Sequence, residues 1–308
     1  MRGISVISNQ VAWVSGSNGH VGKTVDGGAS WTWTQPKGYE KLDFRDIEAF
    51  DDQNAIVVNA GSPAYILLTT DGGKSWKETY KNTDSAIFLD GMAFWNRKEG
   101  IIFGDPIGSK MQLLKTTDGG LTWNNISDNL KKGLAVGEAG FAASGTTIRT
   151  NDKGKVWIAS GGKVSNIYYS SNYGKTWKVY PCPILQGESS TGPFSIAFSD
   201  EKTGIVVGGN YLKDKEHTNN ILLTTNGGKS WIRPQTPVLG YRSAVEHVKG
   251  KIWLATGSSG TDYSLDGGQN WTNISTLNFN ALQKSKSGSL VLLTGNRGNI
   301  YQLLLPLN

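Results

Sequence analysis

Seven positions in this 308-residue chain mark places where side-chain chemistry could converge: Arg2, Arg45, Asp90, Ala139, Phe194, Arg242 and Asn280, each near the start of a short apolar run. Phe44, Glu138 and Tyr241 come immediately before three of them. Guanidinium forks suit carboxylates and phosphates, because two parallel N–H donors match two oxygens. Arg2, Arg45 and Arg242 gathered at one mouth, with an acid among them, would therefore recognise an anion. The same residues could instead pair with one another and line a water-filled channel. Two carboxylates held several ångströms apart across a cleft would be a different device, the acid and base of an inverting glycosidase. Asp90 and Asp105 are the candidates for that pair.

A repeat is what would bring these positions together. Six near-copies of one phrase punctuate the chain, at Thr24–Trp31, Thr69–Trp76, Thr116–Trp123, Ser170–Trp177, Thr224–Trp231 and Ser264–Trp271, with the common form [ST]-x-[DN]-x-G-x-[STN]-W. A unit recurring roughly every 40 to 55 residues signals a propeller or solenoid. The third-place acid or amide (Asp26, Asp71, Asp118, Asn172, Asn226, Asp266) can accept hydrogen bonds from its own turn, and the fifth-place Gly tolerates positive φ, so the phrase reads as a tight hairpin turn. The closing Trp (Trp31, Trp76, Trp123, Trp177, Trp231, Trp271) opens the next strand and offers a large apolar face to the neighbouring repeat. These are structural fasteners, not a catalytic or metal site.

Short apolar runs bounded by turn residues surround each phrase, such as Ala55-Ile-Val-Val58 and Tyr65-Ile-Leu-Leu68, giving four antiparallel strands per unit. The expected fold is all-β, a seven-bladed propeller forming one domain, with blades at about 1–38, 39–81, 82–130, 131–182, 183–236, 237–275 and 276–308. Residues after Phe279 carry the pattern without a phrase, so the last blade is short by a strand. Because Arg2-Gly-Ile-Ser-Val6 reads as the first strand of blade one, the missing strand is expected from a segment before Met1, and a signal sequence with it. On that expectation the protein would lie outside the cytoplasm, periplasmic or secreted.

Composition excludes more than it suggests. A formal charge of +6 and pI near 9.2 come without any block of like charges, so nucleic acid is not an expected partner. No apolar run is long enough to span a bilayer. Cys182 has no partner for a disulfide, and His20, His217 and His247 lie in different blades without ligand spacing, so neither metal nor cofactor is expected. Ser17-Asn-Gly-His-Val-Gly-Lys-Thr24 approximates a phosphate-binding loop but lacks the helix that motif requires. A monomer is expected.

The repeated phrases join third and fourth strands, so loops of the opposite face are free to vary: Gly61–Pro63, Gly104–Gly108, Gly208–Thr218 and the passage Pro181–Pro193. Variable loops on a rigid scaffold are where binding resides.

The phrase is the Asp-box, and it resembles those of sialidases and other Asp-box glycoside hydrolases, of sortilin-type receptors, and of the photosystem II stability/assembly factor propellers. The whole chain looks most like the last group. That resemblance implies a non-enzymatic scaffold holding a partner protein or anionic ligand on the loop face, through an arginine-containing mouth. The alternative is a hydrolase of sialosides or glucans. Arg2, Arg45 and Arg242 would then hold a sugar carboxylate, with Tyr241 as nucleophile, Glu138 as its partner and Asp90 as acid. The Arg-Ile-Pro motif that opens many sialidases is missing.

Overall fold

The short apolar runs become strands because neighbouring sheets cover both of their faces. Ala55–Asn59 and Gly204–Asn210 are buried along their whole length, whereas an outer strand such as Lys77–Asn82 is mostly in solvent. The computed structural model describes residues 1–304 and arranges them as seven antiparallel sheets, the blades of a propeller. Blades one, two, three and six have four strands in sequential order. Blade four has five, because its innermost strand is split into Glu138–Ala139 and Ile148–Thr150. Blade five has three, and a single bridge between Leu223 and Ile232 holds the outer position. Blade seven has three, Ala281–Lys284, Val291–Thr294 and Ile300–Gln302. No helix of the described residues is long and apolar enough to cross a membrane.

Among the described residues, blade seven meets blade one through packing, with no strand shared between them. Ile4, Val6 and Val14 pack with Ala281, Leu290 and Leu292. The Gln283 side chain accepts from Val6 N–H at 2.6 Å, and Val6 O accepts from Lys286 N–H at 3.0 Å.

All six boxes fold alike. The first-place hydroxyl donates to the third-place side chain at 2.7–3.0 Å and accepts the fifth-place Gly N–H at 2.9–3.1 Å. That Gly has φ between 74° and 97°, a region closed to most other residues. The fourth-place N–H then donates to the turn between the blade's own first two strands, as Gly72 N does to Gln53 O. The boxes thus share a face with those turns.

Each box Trp packs on the preceding blade: Trp76 meets Trp13 edge to face at 6.5 Å, Trp123 packs with Ile56, and Trp271 with Ile205. Only some of the ring N–H groups find acceptors. Trp177 and Trp271 donate to Gly174 O and Gly268 O, while those of Trp76, Trp123 and Trp231 are buried without one. A second set of tryptophans, invisible to the box pattern, ties the seams by hydrogen bonds, Trp13 to Asp51 O and Trp157 to Gly227 O.

The box makes a stability prediction. Thr116 is fully buried, and its hydroxyl bridges Asp118 and Gly120 N–H. Thr116→Val keeps the shape but orphans a buried donor, and is expected to cost about 1–3 kcal/mol in urea denaturation. Val25→Thr, at an exposed box position, is the control and should change nothing.

Candidate functional site

A register rule places the inward-facing residues. The first residue of each box pairs with one residue of the second strand: Ala12, Ala55, Gly100, Val156, Gly204 and Trp253 in blades one to six. Counting back ten positions from each reaches Arg2, Arg45, Asp90, Thr146, Phe194 and Ser243. In blades two, three and five that residue is the extra one of a β-bulge, since Phe44 and Asp46, Leu89 and Gly91, and Pro193 and Ser195 pair across it while Arg45, Asp90 and Phe194 do not. A bulge re-aims a side chain and ends regular pairing. Here it turns three side chains into the mouth of the channel.

Together with Asn280 of blade seven, Arg2, Arg45, Asp90, Phe194 and Ser243 line one cavity of about 500 Å³. Its wall is divided by chemistry. Blades one to three supply Arg2, Arg45, Asp90 and Asp105, with Phe88 the one aromatic residue among them. Blades four to six supply Phe141, Phe194, Tyr211 and Tyr241, with Phe141 and Phe194 stacked at 4.0 Å and Tyr241 edge-on to Phe194 at 4.8 Å. Blade seven closes the ring with Asn280, whose amide donates to Asn296 Oδ1 at 3.0 Å.

Two of the seven mouth positions read from the sequence are corrected. Ala139 lies seventeen residues before Val156, not ten, because blade four carries seven extra residues there. The extra stretch leaves the sheet after Ala139 and crosses the channel: Ser144 Oγ donates to Ser243 O at 2.7 Å, and Ala143 O accepts from Arg2 Nη1 at 3.2 Å. It plugs the bore, and it brings Phe141 to the cavity. Arg242 is one position out of register, eleven residues before Trp253, so it faces the blade interior as Phe44 does in blade two. A one-residue offset exchanges the two faces of a strand. Arg242 is fully buried against Asp262, with Nε 2.6 Å and Nη2 2.5 Å from Oδ2, and Nη1 donates to Tyr241 O and Ser259 Oγ.

Glu138 is also turned away from the cavity. Its Oε1 accepts from Ser160, Asn166 and Tyr168, and Oε2 from Ala135 N–H at 2.9 Å. A carboxylate so satisfied is an anchor for the connection before it. Tyr241 therefore lacks the Glu a sialidase nucleophile needs, and the third arginine is absent from the mouth. Asp90 and Asp105 stand on adjacent strands of one blade rather than on opposite sides of a cleft.

The ionic half retains unspent capacity. Arg45 Nε donates to Asp43 at 2.8 Å and its Nη groups have no protein partner among the described residues. Arg2 spends only Nη1. Asp90 is 1% exposed and neither of its oxygens has a hydrogen-bond partner, since the nearby Asp105 N–H donates to Phe88 O at 2.9 Å. Burial, then the neighbouring Asp105 charge, push the Asp90 carboxyl well above the usual range, with Arg45 and the nearby Asp105 N–H dipole opposing. Burial also raises Asp105, against a 2.8 Å hydrogen bond from Gly140 N–H. Burial raises the Tyr241 phenol, and Arg2 opposes it.

Phe141 and Tyr211 were not anticipated as site residues. The ten-residue spacing would have exposed the insertion that delivers Phe141, whereas Tyr211 sits in a loop with no repeat to align it.

The photosynthesis system II assembly factor YCF48 family model matches residues 1–84. No curated protein matches the chain by sequence. Among solved structures, YCF48 bound to D1 peptide is similar with a TM-score of 0.70 at 16% identity, covering 98% of this chain and 92% of that one. YCF48 from Cyanidioschyzon merolae gives 0.64 at 16%, covering 97% and 94%. The GH74 xyloglucanase from Xanthomonas campestris gives 0.63 at 16%, covering 98% and 51%. At such identities the structural likeness is one of fold, common to an assembly factor and a glycosidase. The chain is thus a propeller like the photosystem II assembly factors in its whole fold, and in sequence over its first two blades.

Proposed function

We propose that this protein is a non-catalytic scaffold that captures a segment of a partner protein in the mouth on its loop face. The observation that carries this reading is the two-sided cavity, with unspent guanidinium donors of Arg2 and Arg45 facing a wall of Phe141, Phe194 and Tyr241. A peptide offers both halves what they lack, an acidic group for the arginines and an apolar side chain for the rings. The likeness to a propeller described as bound to a peptide supports the same reading. The insertion from blade four supports it too, because a plugged bore makes the mouth a pocket with a floor instead of a pore.

An array of short peptides probed with purified protein tests this. Arg45→Ala removes a side chain that is one-third exposed, so the fold should persist while capture of acidic peptides weakens about tenfold or more, the worth of a charge-assisted hydrogen bond. Fluorogenic sialosides and glucans should remain intact under the same conditions. Turnover of any of them, or peptide capture indifferent to Arg45, would defeat the scaffold reading.

A further inference from the structure

The mouth contains a carboxyl that the arginines do not explain. Asp90 is buried beside Asp105 in the wall of the cavity, yet both its oxygens lack a donor. A buried polar group left without a partner carries its full desolvation cost, and native proteins leave few of them. The groups around it show why none is available. Arg45, on the neighbouring blade, turns its Nε to Asp43. Asp105 brings a like charge. The insertion from blade four contributes no charge here, only Gly140 and Phe141. Gly140 is the residue that permits this packing, since a Cβ there would lie 2.3 Å from Asp90 Oδ2. Phe88 and Phe141 stand beside it in the cavity wall, presenting the apolar and π-rich surface that accepts the stem and head of a basic side chain.

We infer that Asp90 is a subsite for the ammonium or guanidinium group of a bound segment, and that filling it expels one proton. This rests on the reading of the mouth as a peptide receptor and adds to it. The ligand would carry a basic side chain for blade three together with an acidic one for blades one and two. In the free protein, burial and then the neighbouring Asp105 favour the protonated form of the carboxyl. When the cation arrives, the Asp90 O–H bond breaks, its proton passes to buffer, and the carboxylate pairs with the incoming charge. No other bond changes. Affinity for a cation therefore rises with pH, up to tenfold per unit, while Asp90 is protonated in the free protein, and levels off above that point.

The probes are Nα-acetyl-lysine methylamide, Nα-acetyl-norleucine methylamide as the uncharged control, and Nα-acetyl-aspartate methylamide for the arginines. Each is titrated into the full chain between pH 5.5 and 8.5 and followed by NMR shifts. The lysine probe should bind with the rising pH profile and the norleucine probe with a flat one. Asp90→Asn should reduce lysine binding at pH 8.5 to the norleucine level and abolish the slope. Asp105→Asn removes the like charge, so the levelling-off should move to lower pH. That second variant reads the same carboxyl without touching it. A flat lysine profile in the native protein, lysine binding no better than norleucine, or an unchanged slope in Asp90→Asn each overturns the inference. The aspartate probe separates the two failures: its binding through Arg45 with no lysine effect sinks only the cation subsite, whereas lysine binding without any aspartate binding sinks the arginine half of the receptor.

Discussion

Asp262→Ala is expected to cost about 3–5 kcal/mol of folding stability, because it leaves a buried guanidinium without the carboxylate that pairs with it directly. Arg242 is fully buried, and Asp262 accepts a hydrogen bond from its Nε, with Nη2 at an ion-pair distance of 2.5 Å from the same oxygen. The remaining oxygen of Asp262 is occupied as well, accepting from Asn273 at 3.0 Å. Taking the charges out of water is what makes the pair expensive, so removing one partner is far worse than removing both. The double variant Arg242→Met, Asp262→Leu should therefore recover at least half of the loss, which denaturant midpoints of the three proteins will measure. Equal losses in single and double variants would mean that solvent reaches the pair. The same experiment bears on function. Arg242→Met in the double background should bind acidic peptides as the native protein does, since Arg242 does not face the mouth.

The sequence reading of Arg242 shows where repeat logic is reliable and where it fails. The boxes encode the blades because every box must solve one local problem, a tight turn whose hydroxyl, acid and Gly are all spent within eight residues. Local solutions survive in the sequence as a motif. The mouth is set by register, which is global to a hairpin, and register was legible only if counted from the box partner. Counted that way, Arg2, Arg45, Asp90 and Phe194 fall into place. Blade six departs because its first hairpin is closed by a two-residue turn, Gly250-Lys251, with a bulge at Val248, so the apolar run before it gives a misleading start. Blade four departs because an insertion of small residues resembles a strand. Its destination across the channel depends on Ser243 and Arg2, about 100 and 140 residues away in sequence, and no local pattern encodes that. The unpartnered state of Asp90 was equally hidden, since it follows from what three blades fail to supply.

From pH 5 to pH 8 the protein is expected to lose stability, the reverse of what hydrogen-bonded carboxylates produce as they ionise. Asp46 is buried beneath the insertion, at the position next to Arg45 on the first strand of blade two. It accepts from Ile47 N–H at 2.8 Å and Met92 N–H at 2.7 Å, contacts that favour its charge. Burial outweighs them and raises its pKa to about 7, with Glu48 adding to the rise and Arg149 opposing it. Below pH 4 the folded and unfolded chains both hold this proton, and the contribution to stability is complete. As pH rises towards 7 the unfolded chain has released it and the folded chain has not, so stability falls, by roughly 4 kcal/mol over three units for this group alone. Asp90, Asp105 and Glu246 are raised by burial and act in the same sense. The box acids act in the opposite sense and in another window: their hydrogen bonds lower Asp71 and Asp266 to about 2, a stabilisation present above about pH 4 and lost as pH falls through 2. The two sets together place maximal stability near pH 4–5. Asp46→Asn isolates the first set. The amide turns one N–H pair into a donor–donor clash, so the variant should be less stable than the native protein at pH 5. Position 46 can no longer ionise, however, so the variant's stability should fall less steeply to pH 8 than the native protein's, with Asp90, Asp105 and Glu246 alone carrying its slope. Urea denaturation of both proteins across that range should give converging curves; parallel curves would show that Asp46 is ionised throughout and that its two backbone donors, not burial, decide its state.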